Sequence, residues 1–219
     1  MRFKNRTVAG QLLAAQLLDY ANRDDAIVLA LPRGGVPIGF EVAKVLNVPL
    51  DILVVRKLGV PGHEELAMGA IAPGDVQILN QQIVQSCRVD DAALNQVIAR
   101  EQQELERREQ LYRDDRPALN LRDRTVILID DGLATGATMR VAVQAVRQAC
   151  PQQVIVAVPI GAPETCQELK TEAEQMICLE TPRRFSSVGS WYDDFSQTTD
   201  EEVSTLLKAA IEFTPSATF

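Results

Sequence analysis

The residues best suited to chemistry lie in the segment VILIDDGLATGATM, residues 126–139. Its apolar start predicts a buried strand, and that strand ends in two adjacent carboxylates, Asp130 and Asp131. A short loop of small residues then enters a predicted helix. Backbone N–H groups and the positive end of the helix dipole therefore point at one spot. This arrangement predicts a site for a phosphate monoester with two carboxylates beside it.

The acidic pair indicates what the phosphate is attached to. Open α/β sheets bind ligands at the carboxyl ends of their strands, and carboxylates placed there can accept hydrogen bonds from two ribose hydroxyls. Thr135 and Thr138 add hydroxyl donors on the phosphate side. The alternative is that the two aspartates merely cap a helix. The tandem carboxylates followed by TGAT favour a ribose phosphate site.

A second segment, ALPRGGVPIGFEVA at residues 30–43, places Arg33, Gly34 and Gly35 between a predicted strand and a helix. Glycines let the backbone approach a ligand closely, and an arginine binds phosphate oxygens with paired N–H groups. A tight turn carrying a surface arginine is the alternative.

A third segment, VVRKLGVPGHEELAMGAI at residues 54–71, supplies Arg56 and Lys57 at the start of a predicted loop, residues 56–68. Two cations there could neutralise an anionic leaving group. An ordinary surface pair at a strand end is the alternative. His63, Glu64 and Glu65 lie in the same loop, where acid–base catalysis and simple solvation both stay open.

Together these segments resemble the type I phosphoribosyltransferases, whose hallmark is an apolar strand, two acidic residues and a small-residue loop ending TG-x-[ST]. The resemblance implies that the acidic pair contacts the ribose 2- and 3-hydroxyls. It also implies that the RGG segment is the diphosphate loop, which carries a non-proline cis peptide in relatives. The residues implied for the 5-phosphate are Leu133, Ala134, Thr135, Gly136, Ala137 and Thr138.

The resemblance further implies a reaction. The diphosphate of 5-phosphoribosyl 1-diphosphate is exchanged for a nitrogen base, with Mg²⁺ held mainly through the substrate and no direct protein metal site beyond help from Asp130 and Asp131. Arg56 and Lys57, on a mobile loop, join the acidic pair as catalytic residues. Ala134 stands where many hypoxanthine-guanine enzymes have an acidic residue, so the loop is more similar to the adenine and orotate types. We expect a purine-like base.

An aromatic-rich segment, residues 185–195, follows the last predicted strand. In the family this region forms a hood over the base, and Trp191 or Tyr192 could stack on a planar ring. Packing within a small satellite core is the alternative.

Apolar runs alternate with helical patterns along the chain, as in a parallel α/β sheet with crossover helices. We predict a mostly parallel sheet flanked by helices, with a flexible loop, a helical insertion at about 80–116 and a hood. The domain prediction is a core at 1–182 and a hood and tail at 183–219. Predicted strands are 27–31, 50–55, 69–72, 76–79, 125–130, 153–159 and 175–180. Predicted helices are 10–21, 36–47, 90–113, 139–149, 163–173 and 200–212.

Composition limits the partners. The chain has 219 residues, a net charge of −8 and a pI of about 4.8, which argues against a nucleic-acid partner. No apolar run approaches the roughly 20 residues that span a bilayer, and four scattered cysteines fit reduced thiols. We expect a cytoplasmic homodimer. The main rival is a non-catalytic regulator sensing a nucleotide or phosphoribosyl diphosphate; a diphosphokinase would resemble two such domains in tandem.

Overall fold

The computed structural model describes residues 2–74, 76–113 and 119–213. The strands in these ranges are β1 Ala26–Ala30, β2 Leu50–Ile52, β3 Arg56–Val60, β4 His63–Ala72, β5 Val76–Leu79, β6 Thr125–Ile129, β7 Gln153–Ile160 and β8 Gln175–Glu180. The α-helices are α1 Arg6–Ala14, α2 Gly35–Leu46, α3 Gln81–Ser86, α4 Asp91–Arg113, α5 Ala137–Gln148, α6 Pro163–Leu169 and α7 Asp200–Phe213.

Five strands form one parallel sheet in the order β2-β1-β6-β7-β8, which confirms the predicted fold class. From β1 the chain crosses through α2 to β2 on one side, and from β6 it crosses through α5 to β7 on the other. The strand order therefore reverses between β1 and β6. Such a switch point opens a crevice at the carboxyl ends of the two strands, which is where open α/β sheets bind ligands.

Helices cover both faces of this sheet. In β1, Val28 contributes to the core cluster that also contains residues of α1, α2 and α7, while Ile27 and Leu29 contribute to the cluster that contains residues of α5 and α6. Successive side chains of a strand point to opposite faces, so a strand buried on both faces reads as a continuous apolar run. This explains why all five residues of β1 and all five of β6 are buried.

A separate antiparallel layer, β3-β4-β5, corrects one prediction. Residues 56–68 were expected to form a loop, but they form β3, a turn and the first half of β4. Pro61 and Gly62 make the turn, and Gly62 has φ +78°, which suits the third position of a type II turn. Gly59 lies at a bulge where an added Cβ would approach the carbonyl oxygen of Glu64 to 2.6 Å. These residues shape a hairpin instead of breaking the strands.

The other boundaries need smaller corrections. The helix predicted at 10–21 runs from Arg6 to Ala14, because the side chain of Asn5 caps its start by accepting a hydrogen bond from Val8 N. A 3-10 turn at Leu18–Tyr20 follows. The predicted pairing of 69–72 with 76–79 is confirmed by β4 and β5, although Asp75 of its turn lies outside the described residues.

The helical insertion consists of α3 and α4 within the described residues, and its predicted end at 114–116 lies outside them. At the carboxyl end of the chain, α7 packs back onto the core through Val203, Leu207 and Ala210. The predicted domain boundary near 182 stays a prediction, and residues 214–219 of the predicted tail lie outside the description. None of the helices described here is long and apolar enough to cross a membrane.

Candidate active site

The predicted phosphate loop runs from the end of β6 to the start of α5. Its middle is pinned to β7, because Leu133 N donates to Ile160 O at 2.9 Å and Ala162 N donates to Leu133 O at 2.8 Å. A third bond fixes its other side, from Thr165 Oγ1 to Ala134 O at 2.7 Å. The loop is thus shaped by its backbone before any ligand binds.

The end of this loop leaves backbone donors for a ligand. Gly136 adopts φ +70°, and an added Cβ would meet Thr165 Cγ2 at 2.4 Å, so the position requires glycine. Within the described chain, no hydrogen-bond acceptor is recorded for the N–H groups of Thr135, Gly136 and Thr138. Unpaired N–H groups at a helix start are a ready site for an anion. Thr135 and Thr138 are also exposed.

The predicted diphosphate loop, Arg33 to Gly35, follows β1 and touches the end of β6. The peptide bond between Pro32 and Arg33 is cis. A Cβ added at Gly35 would lie 2.7 Å from Ile129 O, and one added at Gly34 would lie 2.0 Å from Asp131 Oδ2. Only glycine permits this approach. The two loops therefore share one crevice, at the switch point.

The acidic pair lies where the two loops meet, and both of its residues are half-buried. Asp131 N donates to Asp130 Oδ1 at 2.8 Å. Burial, and then the charge of Asp131, raise the pKa of Asp130 well above its usual value. Burial also raises the pKa of Asp131, although the guanidinium of Arg6 opposes that shift. Two carboxylates this close favour positive charge nearby, whether from a cation or from a ligand.

The predicted diphosphate-binding arginine reaches toward the last helix. Nη1 of Arg33 lies 3.8 Å from Asp200 Oδ1, with about a third of the Arg33 side chain exposed. Asp200 also accepts a short hydrogen bond from Tyr112 of α4. Arg33 follows the carboxyl end of β1, where the crevice opens, and its guanidinium stays partly open to solvent.

The two cations of the hairpin occupy different places. Arg56 donates to Glu101 of α4, with Nη2 at 2.5 Å and Nε at 3.0 Å from Oε2. Lys57 is more exposed, with Nζ 3.5 Å from Oε2 of Glu65. A narrow cleft of about 30 Å³ separates the hairpin from the start of α5, and both Lys57 and Thr138 line it. Lys57 therefore lies beside the start of α5 with a long ion pair to Glu65, whereas Glu101 holds Arg56 by two hydrogen bonds.

His63, Glu64 and Glu65 are exposed at the start of β4. Within the described residues, no contact joins them to the acidic pair. Their acid–base role stays a prediction.

The two aromatic residues predicted to stack on a base are engaged in packing. Tyr192 is 2% exposed, lies between Phe3 and Phe195, and donates its hydroxyl to Asp131 O at 2.7 Å. Trp191 is half-buried beside the cluster that contains Phe3 and Ile160. Tyr192 therefore packs within a small satellite core in this structure, as the alternative to base stacking predicted. Tyr192 reaches the acidic pair through its hydroxyl and not through a ring face.

Several partners of the site residues were missed from the sequence. Arg6, Glu101 and Asp200 pair with Asp131, Arg56 and Arg33 respectively, across long stretches of chain. None of the three stands in a motif. The only local signal was the cap residue Asn5, which fixes where Arg6 begins its helix.

Comparison with known proteins gives a consistent picture. The family described as "Phosphoribosyl transferase domain" matches residues 4–193. The Mycobacterium tuberculosis H37Rv protein named "Putative phosphoribosyl transferase Rv0571c" is 43% identical over 208 residues. That match covers 95% of this chain but 47% of the relative, so the chain spans about half the relative's length.

Solved structures agree on the fold. The crystal structure of TT1426 from Thermus thermophilus is 40% identical with a TM-score of 0.84, covering 98% of this chain and all of the other. The AQ2163 protein from Aquifex aeolicus, at 14% identity and a TM-score of 0.51 over 84% of this chain and 78% of that one, shows the fold alone. Because the family model matches residues 4–193, the chain belongs to the phosphoribosyl transferase domain family.

Proposed function

We propose that this chain transfers the phosphoribosyl group from 5-phosphoribosyl 1-diphosphate to a nitrogen base and releases diphosphate. One observation carries the proposal: the phosphate loop, the acidic pair and the diphosphate loop meet in one crevice at the carboxyl ends of β1 and β6. A ligand that carries a phosphate, a diol and a diphosphate suits all three at once. Family membership supports the same activity.

The sugar side of the reaction uses the segment after β6. Backbone N–H groups of Thr135, Gly136 and Thr138 hold the 5-phosphate, since no other acceptor is recorded for them within the described chain. Asp130 and Asp131 accept hydrogen bonds from the ribose hydroxyls. Positive charge develops on the ribose ring as diphosphate departs, and the two carboxylates favour it more in the transition state than in the ground state.

The leaving group faces the cations. Arg33 at the mouth of the crevice binds diphosphate oxygens with paired N–H groups. Lys57 lies on the hairpin that faces the phosphate loop, so closing the hairpin would bring a second cation to the diphosphate and exclude water. Arg56 acts less directly, because Glu101 already holds its guanidinium.

The residues present fit a magnesium ion that is bound mainly by the substrate. Among the described residues there is no group of three or more metal-ligating side chains. The acidic pair offers only carboxylate oxygens, which Mg²⁺ accepts together with substrate phosphates and water. Asp130 and one oxygen of Asp131 would help to hold it. When bound, the ion would neutralise charge on the leaving diphosphate.

The acceptor is proposed to be a purine-like base. Ala134 is exposed in the phosphate loop and provides no carboxylate to the ring, which favours adenine-type over hypoxanthine-guanine-type recognition. The hood supplies the remaining wall of the base site, with Trp191 the more accessible of its two predicted aromatic residues.

The direct test measures diphosphate release from 5-phosphoribosyl 1-diphosphate with Mg²⁺ and a panel of purines, pyrimidines and pyridines. We expect release that depends on one purine-like base. Tight binding of 5-phosphoribosyl 1-diphosphate without transfer to any base would contradict catalysis and favour the regulator. Transfer to a pyrimidine alone would preserve the reaction and overturn the proposed base.

A further inference from the structure

Arg6 joins three parts of the candidate site. Its Nε and Nη2 donate to Asp131 Oδ2 at 3.0 and 2.8 Å, and its Nη1 donates to Ser196 O at 2.7 Å. The guanidinium carbon also lies 4.0 Å from the ring centre of Phe195. One cation thus contacts the acidic pair, the backbone that follows the hood, and an aromatic ring.

Helix stability does not explain this position. Arg6 is the first residue of α1, and the N-terminus of a helix is its positive end, which disfavours a cation. Asn5 already caps the helix by accepting from Val8 N at 3.0 Å. The location of the guanidinium is therefore explained by the carboxylate it meets.

The chain before Arg6 is held firmly against the hood. Phe3 N donates to Trp191 O, and Asp193 N donates to Phe3 O, both at 2.8 Å. The Arg6 side chain itself is only 11% exposed. Arg6 is thus fixed by backbone bonds and packing on several sides, so that it can set the position of a neighbouring group.

The pairing with Arg6 gives the two carboxylate oxygens of Asp131 different roles. Oδ2 lies against Gly34 of the diphosphate loop and accepts both bonds from Arg6. No bond to Oδ1 is recorded among the described residues, so this oxygen stays available.

We propose that Arg6 is a positioning residue, which fixes Oδ2 of Asp131 so that Oδ1 receives the ribose 2-hydroxyl. This inference rests on the proposed function, because it assigns the acidic pair to the ribose. It adds a residue from the opposite end of the chain to that site. The two N–H bonds to one oxygen hold that oxygen in place and stabilise its negative charge.

The test compares binding of ribose 5-phosphate with binding of 2-deoxyribose 5-phosphate by calorimetry. The ratio of the two affinities reports contact with the 2-hydroxyl. Both sugars carry the same 5-phosphate, so the contribution of the phosphate loop to binding cancels in the ratio. Arg6→Met should lower this ratio by about tenfold, since a misplaced carboxylate loses a charge-assisted hydrogen bond. Its affinity for the deoxy sugar should stay near that of the unaltered protein.

Arg6→Lys serves if Arg6→Met does not fold. Lysine keeps the charge but cannot hold Asp131 and Ser196 together in a fork, so we expect a loss of about threefold in the ratio. Arg2→Met is the matched control, because Arg2 contacts Tyr192 O at 3.2 Å and lies 3.5 Å from Asp193 without touching the acidic pair. The control should leave the ratio unchanged.

An unchanged ratio in both Arg6 variants, or tighter ribose 5-phosphate binding after the change, would overturn the proposal. The latter result would mean that Arg6 competes with the diol. Failure of the proposed function would give a different result. The unaltered protein would still prefer ribose 5-phosphate, and the Arg6 variants would still lower that preference, but no phosphoribosyl group would be transferred to any base. A protein with no preference for the 2-hydroxyl would overturn the role of Arg6 as well.

Discussion

The two halves of the segment after β6 offer a ligand opposite kinds of contact. The phosphate loop presents backbone N–H groups that have no recorded acceptor within the described chain, on exposed residues such as Thr135 and Thr138. The acidic pair presents side chains that are half-buried and, for Asp131, already bonded to Arg6. The phosphate loop therefore offers exposed main-chain donors, whereas the acidic pair offers half-buried side-chain acceptors.

This difference separates binding from chemistry. Main-chain donors hold an anion regardless of which side chain stands at each position, provided that the loop keeps its shape. The carboxylates of the acidic pair act through their negative charge. An Asp→Asn substitution removes that charge while keeping the size of the side chain. Substitutions in the acidic pair should therefore affect turnover, and substitutions that reshape the loop should affect phosphate binding.

The largest expected effect comes from Asp130→Asn combined with Asp131→Asn. Removing preorganised electrostatic stabilisation typically lowers turnover by about 10²- to 10³-fold. Ribose 5-phosphate should still bind through the loop, although the pair's hydroxyl contacts weaken. Turnover and a ribose 5-phosphate titration measure the two effects.

The control for this double variant is the other tandem pair, Asp193→Asn with Asp194→Asn. Both residues are exposed, and the change removes the same number of charges. We expect turnover close to that of the unaltered protein. The double Asp130/Asp131 variant could instead lose phosphate binding as completely as turnover. That result would contradict the separation of phosphate binding by the loop from chemistry by the acidic pair.

The loop half is tested by Gly136→Ala. A non-glycine residue at φ +70° is strained, and the added Cβ meets Thr165 Cγ2 at 2.4 Å. The backbone strain and the clash together should lower the free energy of unfolding by about 2–4 kcal/mol. Ribose 5-phosphate affinity should fall by roughly tenfold or more as the N–H groups move.

Gly74→Ala is the matched control, since Gly74 has φ +80° with nothing within 4 Å of an added Cβ. It carries the backbone strain without the clash, so about 1 kcal/mol should be lost and phosphate affinity kept. Denaturant unfolding and calorimetry measure both variants. Equal losses in the two would show that the contact with Thr165 does not shape the loop.

A third effect concerns the diphosphate loop. Arg33→Ala should weaken inhibition by diphosphate about tenfold while leaving the fold intact, because about a third of the side chain is exposed and its ion pair with Asp200 is long. Arg147→Ala is the control: this arginine is similarly exposed and paired with Glu174, but it lies on α5 away from the crevice. Unchanged inhibition in a folded Arg33 variant would remove Arg33 from the site.

The smallest expected effect is on stability and depends on pH. The folded Asp130 carboxyl has a raised pKa, so it keeps its proton at pH values where the unfolded chain has released it. The unfolded state then binds fewer protons, and stability falls as pH rises above about 4. Asp130→Asn removes this penalty and should raise the Tm at pH 7.

A gain of about 1 kcal/mol would appear as roughly 2–4 °C in Tm for a chain of this size. The gain should shrink toward pH 3.5, where the carboxyl is mostly protonated in both states. Thermal unfolding of both proteins from pH 3.5 to 8 measures it. Parallel curves across this range would show that Asp130 is not enclosed as the structure has it.

Local sequence was enough to predict the parallel sheet and the segments that meet at its switch point. The reason is that each depends on a short pattern: an apolar strand, small loop residues and a helix start. The hairpin at Arg56–Ala72 was missed because Gly59, Pro61 and Gly62 read as breakers, although a bulge and a type II turn need these residue types.

The partners of the site residues could not be predicted in this way. Arg6 and Asp131 are 125 positions apart, and only the folded chain brings them together. The cysteines make the same point: Cys166 and Cys178 show no motif, yet both sulfurs lie close to where a Cβ on Gly161 would stand, at 2.4 and 3.4 Å. Such contacts follow from tertiary packing, which has no local signature.

The pairing of β1 with β6 also has a consequence for synthesis on the ribosome. Ala26 pairs with Thr125, so about 100 residues must be made between the two loops of the crevice. At typical rates of about 5–20 residues per second, the diphosphate loop waits roughly 5–20 s for its partner strand. During that time β2 can cover one edge of β1, but its other edge stays unpaired and apolar. An unpaired apolar edge is an aggregation hazard, so the nascent chain is exposed to aggregation at the strand on which its site is later built.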